Sequence, residues 1–270
     1  FFIILFVMDR IFDNIGHKLH EVDALKAQLL NLRPLSPEAL QKIQEAWDIE
    51  NTYESNRIEG NTLTLQETAL VVNEGVTVAG KSMREHLEAI NHVEAIQYIK
   101  DFAKKNIDIS ERTIKEIHSL ILHGINKRDA GAYRTVPVVI SGSRHIPPQP
   151  YLIEPQMGQF METFCQMEKD GVHPVLIAAY LHDELVRIHP FIDGNGRTGR
   201  LLVNLELMKA GYPPIDIKFT DRVAYYNAFD EYHMKHNISA METLFAGYIN
   251  TRMNAFLQIL QEYKPDQTDI

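Results

Sequence analysis

Apolar residues recur at intervals of three and four along most of this chain, and only a helix gathers that spacing onto one face. Leu19, Val22, Leu25, Leu29 and Leu32 make the first such stripe, which Arg33-Pro34-Leu35 ends. Ser36 reads as an N-cap with Pro37 at the first helical position. Leu40, Ile43 and Trp47 carry a second stripe toward Ile58 and a stop at Gly60. Further helices are expected over 65–74, 83–104, 110–123, 154–169 and 174–188, and two or more between residue 200 and about residue 262. One β signal interrupts them. Val138-Val139-Ile140, the turn residues Ser141-Gly142-Ser143 and then Arg144-His145-Ile146 read as a short hairpin, bracketed by Pro137 and Pro147 as edge strands are. The expected class is mainly α with one small β-hairpin, without repeats or low-complexity stretches.

Charge narrows the function. Lysine plus arginine number 27 against 36 acidic residues, a net charge of −9. That balance argues against DNA or RNA as a partner, because general nucleic-acid binding needs a basic surface, yet it leaves nucleotides open. Cys165 is the only cysteine, so no intrachain disulfide forms, and a cytoplasmic location is expected. Its neighbours Phe160, Met161, Phe164 and Met167 suggest a buried helical thiol. Phe1 to Val7 are all apolar and precede Met8, but a bilayer span needs about 20 residues. They read as a non-native or extended start, with a packed or dimer-forming segment as the alternative, and no membrane attachment is expected.

The densest chemistry lies in His189-Pro190-Phe191-Ile192-Asp193-Gly194-Asn195-Gly196-Arg197-Thr198-Gly199-Arg200, between the apolar stretches Val175–Ile188 and Leu201–Met208. Gly194 and Gly196 permit a tight turn and close approach of the backbone to a ligand. The second helix starts here, so its free N–H groups form an anion site, and Arg197 and Arg200 sit three apart at that start to grip phosphate oxygens. Asp193 offers a hard oxygen for Mg²⁺. His189 is a base working near neutral pH. Asn195 either donates to a phosphate oxygen or holds the loop. A rival reading, a metal phosphohydrolase built on His182-Asp183, lacks further histidines at suitable places. That dipeptide is expected on the exposed face of its helix.

This segment resembles the Fic family signature HPFx(D/E)GNGRxxR at every specified position. The resemblance implies a Fic-type helical bundle with a β-hairpin flap, and transfer of AMP from ATP to a Tyr, Thr or Ser hydroxyl of a target protein. It assigns the base to His189, Mg²⁺ to Asp193, and phosphates to Gly194, Asn195, Gly196, Arg197 and Arg200. The kinase-like branch of the superfamily carries lysine where this chain has Gly196, which favours nucleotidyl transfer.

Ser55-Asn56-Arg57-Ile58-Glu59-Gly60 resembles the family's inhibitory motif (S/T)xxxE(G/N). Ser55 and Glu59 share one side of a helix, so the hydroxyl is expected to orient the carboxylate, and the resemblance pairs Glu59 with Arg200. The segment of Val138, Val139 and Ile140 resembles the family's flap, and the resemblance implies that it docks a target by strand addition. Asp221 to Phe229 resemble the adenine-pocket segment, with Tyr225 and Tyr226 stacking on or edging the base.

The expected organisation is an N-terminal helical region over 8–105 with the inhibitory helix at about 40–60, a Fic core over 106–254, and a helix end with a polar tail over 255–270. Self-association is possible without a heptad pattern to support it. Three readings stay open: a self-inhibited protein AMP transferase, a de-AMPylase or transferase of another nucleotide, and a nucleotide-binding regulatory module. An intact His189 favours the enzymes, since a sensor needs no base.

Overall fold

Helices begin where the sequence puts its caps. The computed structural model describes residues 2–32, 35–140 and 143–262, with side chains from residue 15. Among them lie ten α-helices: α1 (Phe2–Leu30), α2 (Pro37–Ile58), α3 (Leu65–Glu74), α4 (Met83–Lys104), α5 (Glu111–Ile121), α6 (Ile153–Lys169), α7 (Pro174–Ile188), α8 (Asn195–Lys209), α9 (Arg222–Lys235) and α10 (Ser239–Glu262). The Ser36 hydroxyl accepts from the Ala39 N–H, and Thr64 with Glu67 and Ser82 with Glu85 close reciprocal capping boxes on α3 and α4. The expected break at Arg33-Pro34, the hairpin turn at Ser141-Gly142, the side chains of Phe1–Val7 and the polar tail beyond Glu262 lie outside the described residues.

The antiparallel pair α7 and α8 is the centre of the fold. Helix α7 is apolar on two faces, so it is covered on both. Ile177, Leu181, Leu185 and Ile188 join Leu201, Leu202 and Leu205 of α8 in a core with α4, α5 and α6. Val175, Ala178, Ala179 and Val186 face a second core shared with α1, α9 and α10. Both cores converge on α7 and α8, so the loop between them is fixed from two sides.

Helix α2 attaches differently, because its buried stripe is polar: Asp48, Thr52, Ser55 and Asn56. Asp48 accepts from Lys100 Nζ at 2.6 Å, Asn51 donates to the Ile215 carbonyl at 2.8 Å, and Lys218 Nζ lies 2.6 Å from Glu50. Thr52 Oγ1 lies 3.2 Å from His92 Nδ1. These bonds hold α2 against α4 and against the segment that leads to α9.

Two expectations fail here. No strand forms among the described residues, so the hairpin over 138–146 is not seen. Side chains anchor this segment instead of a ladder: Arg134 donates to the carbonyls of Val136 and Pro148, and His145 Nε2 donates to the Arg187 carbonyl at 2.8 Å. Pro137 and Pro147 also remove two donors a ladder would use. Cys165, expected to be buried, is exposed. Met157, Phe160 and Phe164 take the core side of α6, and the next residue is rotated about 100° away from it.

Leu185→Ala, in the core that α7 shares with α8, is expected to cost about 2–5 kcal/mol. Urea unfolding followed by circular dichroism measures it.

Candidate active site

The loop between α7 and α8 is pinned by side chains that reach it from distant parts of the chain. His118 accepts the Gly131 N–H at Nδ1 (2.9 Å), so its Nε2–H donates to the Asp193 carbonyl, also at 2.9 Å. Its ring stacks on Phe191 at 3.6 Å. Arg134 Nε donates to the His189 carbonyl at 2.8 Å, and the Arg134 backbone N–H to the Pro190 carbonyl at 2.9 Å. Asn195 accepts the Phe191 N–H at Oδ1 and donates to the Phe191 carbonyl from Nδ2, each at 2.9 Å, so its side chain holds the loop. His118 and Arg134 were not foreseen as loop anchors. Arg134 precedes the segment read as the flap, but nothing in a sequence says that its guanidinium reaches three carbonyls.

His189 ends α7 in the left-handed region, at φ 50°. Its Nδ1 lies 3.3 Å from the Val186 carbonyl, which can only accept, so Nδ1 carries the hydrogen and Nε2 is the basic nitrogen. Burial pushes the imidazole down to about 4, against the opposing effect of that carbonyl contact. His189 is therefore neutral at pH 7, with Nε2 able to accept a proton.

Gly194 caps α8 at φ 77°, a conformation that suits glycine. One residue on, a Cβ placed on Gly196 would meet Glu59 Oε1 at 2.4 Å. The Glu59 carboxylate therefore lies against the first turn of α8, where the helix dipole and unpaired N–H groups attract an anion. It also accepts from Arg200 Nη2 at 2.7 Å. Ser55 does not orient Glu59 as expected. Its hydroxyl accepts from Arg200 Nε and its carbonyl from Arg200 Nη2, both at 2.9 Å, because the buried guanidinium has more donors than Glu59 can take.

Asp193 faces the other side of the loop. It accepts from Arg84 Nη2 at 2.5 Å, from the Gly194 N–H at 2.6 Å and from Arg197 Nη2 at 3.2 Å. Burial opposes its ionisation, but Arg197 and Arg84 still hold the carboxyl below its usual range. Arg197 is buried beside Glu88, 3.3 Å away, and its Nε and Nη1 have no hydrogen-bond partner among the described residues. Arg84 and Glu88 were also missed. Their four-residue spacing is readable in the sequence, but nothing there ties them to a loop a hundred residues away.

A cleft of about 390 Å³ is lined by Glu59, Val139, Ile140, His189, Gly196, Arg200, Tyr225 and Tyr226. A neighbouring cleft of about 290 Å³ is lined by Arg84, Asp193 and Arg197, and Glu59 borders both. Val138 is half-buried outside the main cleft. Tyr226 presents a half-exposed ring, whereas Tyr225 is buried with its hydroxyl bonded to His182 and Arg200. His182 and Asp183, expected on an exposed face, are fully buried, since α7 is covered all round. Both ring nitrogens of His182 have protein partners, which leaves none for a metal.

Comparison with known proteins agrees with this geometry. Residues 108–207 match the Fic/DOC family. Over that span the chain is similar to that family. The "Protein adenylyltransferase Fic" of Nematostella vectensis is 39% identical over 79% of this chain and 49% of its own length. The Drosophila persimilis protein of the same name is 37% identical over 78% of this chain and 41% of its own length. The chain thus spans about half the length, or less, of these curated relatives. Among solved structures, Fic-1 of C. elegans superposes with a TM-score of 0.82 at 28% identity, over 92% of this chain and 73% of that one. The Fic match spans α5 to α8 and the pinned loop, and leaves Glu59 and the tyrosines outside it.

Burial at His189 sets its titration. The imidazole is expected to protonate only as pH falls toward about 4, well below an ordinary histidine at about 6.5. Two-dimensional NMR of the histidine ring resonances between pH 3 and 8 measures this, with His189→Ala giving the assignment.

Proposed function

We propose that this Fic domain is a self-inhibited protein adenylyltransferase, which transfers AMP from ATP-Mg to a Tyr, Thr or Ser hydroxyl of a target protein. The observation that carries the reading is the convergence of a neutral base, a helix N-terminus and a carboxylate already seated on that N-terminus. His189 Nε2 takes the proton of the target hydroxyl. The freed oxygen attacks the α-phosphorus, the bond to the β-phosphate oxygen breaks, and pyrophosphate leaves. The first turn of α8, Arg197 and Arg200 hold the phosphates, and the Nε of Arg197, without a hydrogen-bond partner among the described residues, supports that role.

The donor set at Asp193 fits Mg²⁺, which prefers one or two carboxylates together with substrate phosphates. Asp193 would hold the ion once Arg84 gives up its contact, and the bound ion would neutralise phosphate charge. Tyr226 is the ring available to the base. Val139 stands 86% exposed at the cleft in a segment that forms no ladder among the described residues, which supports target docking by strand addition here.

Glu59 is the brake. Its carboxylate occupies the anion site and takes an Arg200 donor that the terminal phosphate would need, so ATP seats with its α-phosphate away from His189. A hundredfold loss of rate needs only about 2.7 kcal/mol.

With ATP labelled at the α-phosphate, Glu59→Gly is expected to raise protein-bound label on the order of 100-fold over wild type. Glu59→Gly/His189→Ala is expected to abolish it. Label from the γ-phosphate would mean phosphorylation. Loss of label from pre-modified protein, dependent on Glu59, would mean AMP removal.

A further inference from the structure

Arg200 keeps three contacts besides Glu59. Nε and Nη2 donate to Ser55, and Nη1 donates to the Tyr225 hydroxyl at 3.3 Å. A guanidinium only donates, so the Tyr225 oxygen accepts. The tyrosine proton is then directed to His182 Nε2, 2.7 Å away, which must be the unprotonated nitrogen. A neutral imidazole of that tautomer carries its hydrogen on Nδ1, and Nδ1 faces Asp183 Oδ1 at 3.0 Å. The donors run in one direction, from Arg200 to Tyr225 to His182 to Asp183, through side chains buried in the core. Burial, with the charge of Arg200 adding to it, holds His182 well below its ordinary value, as this tautomer requires.

The arrangement has a cost that packing alone does not explain. Asp183 Oδ2 is buried without a partner, and apolar side chains at 182 and 183 would fill the same space with no orphan oxygen. The chain of bonds also ends at one particular donor. Arg200 Nη1 lies 3.0 Å from where a Gly196 Cβ would be, so it overhangs the first turn of α8.

We propose that Tyr225, aimed by His182, is a positioning residue that holds Arg200 in its phosphate-binding pose independently of Glu59. The inference rests on the reading of Arg200 as a ligand of the terminal phosphate. With the brake withdrawn, Ser55 and Tyr225 keep the guanidinium over the N-terminus of α8, so the phosphate meets an arginine already in place. Tyr225 thereby belongs to the phosphate end of the cleft, and Tyr226 alone of the pair serves the base.

The test uses the Glu59→Gly protein and titration calorimetry with Mg²⁺ and two probes, the β,γ-imido analogue of ATP and AMP. Tyr225→Phe and His182→Leu are expected to weaken the ATP analogue about tenfold while AMP affinity holds within about twofold. His182→Gln, whose amide oxygen can still accept the tyrosine proton, is expected to restore most of the loss. Unchanged affinity for the ATP analogue in Tyr225→Phe overturns the inference. So does a parallel loss of AMP and ATP-analogue affinity, which marks a structural role only. If Glu59→Gly itself shows no preference for the ATP analogue over AMP, the phosphate reading of Arg200 fails, and the inference with it.

Discussion

A guanidinium buried as deeply as that of Arg200 needs an anion against it, because an unpaired charge in a protein interior is costly. Two anions can meet the need. One is the carboxylate of Glu59, the C-cap of α2; the other, on the proposed function, is the phosphate tail of a nucleotide. They cannot both occupy the first turn of α8, since Glu59 Oε1 already lies where a Gly196 side chain would be. On the proposed function, inhibition and substrate binding are therefore competing uses of one buried charge. The strength of the brake depends on how firmly α2 is docked, and its docking is polar: Asp48 to Lys100, Asn51 to a carbonyl, Glu50 to Lys218. Polar docking of this kind is sensitive to local rearrangement in a way that an apolar seam is not.

The rest of the site is rigid by comparison. Three carbonyls of the loop between α7 and α8, those of His189, Pro190 and Asp193, are bonded by Arg134 or His118, and Asn195 takes the backbone of Phe191. With α7 and α8 gripped by two cores, the loop does not have to be ordered by its ligand, which is the condition for electrostatic groups to act without reorganising. The parts of the site that face solvent are the contact of Arg84 with Asp193, the Glu59 carboxylate on Arg200, and the segment around Val139.

Much of this was legible in the sequence. The helices expected over 65–74, 83–104 and 174–188 are observed with those bounds. The motif residues from His189 to Arg200 and Glu59 could be read in advance because their chemistry is concentrated in short segments. Interactions set by tertiary contact were hidden. The polar stripe of α2 has no apolar signature, and the burial of His182 and Asp183 follows only from α7 lying between two cores. Arg84, His118 and Arg134 reach the loop from places far along the chain. Cys165 was misjudged because apolar neighbours in sequence are not neighbours on a helix face. The strand pattern at 138–146 is real in composition, but the segment is anchored by Arg134 and His145 and finds no ladder partner among the described residues.

The most direct measurement is a pair of crystal structures, wild type and Glu59→Gly, each with Mg²⁺ and the β,γ-imido analogue of ATP. The account predicts that wild type keeps the Glu59–Arg200 pair, with the γ-phosphate away from Arg200. In Glu59→Gly the guanidinium should contact the γ-phosphate and the α-phosphorus should face His189 Nε2. The same nucleotide pose in both structures would contradict the claim that Glu59 and the terminal phosphate compete for one buried charge.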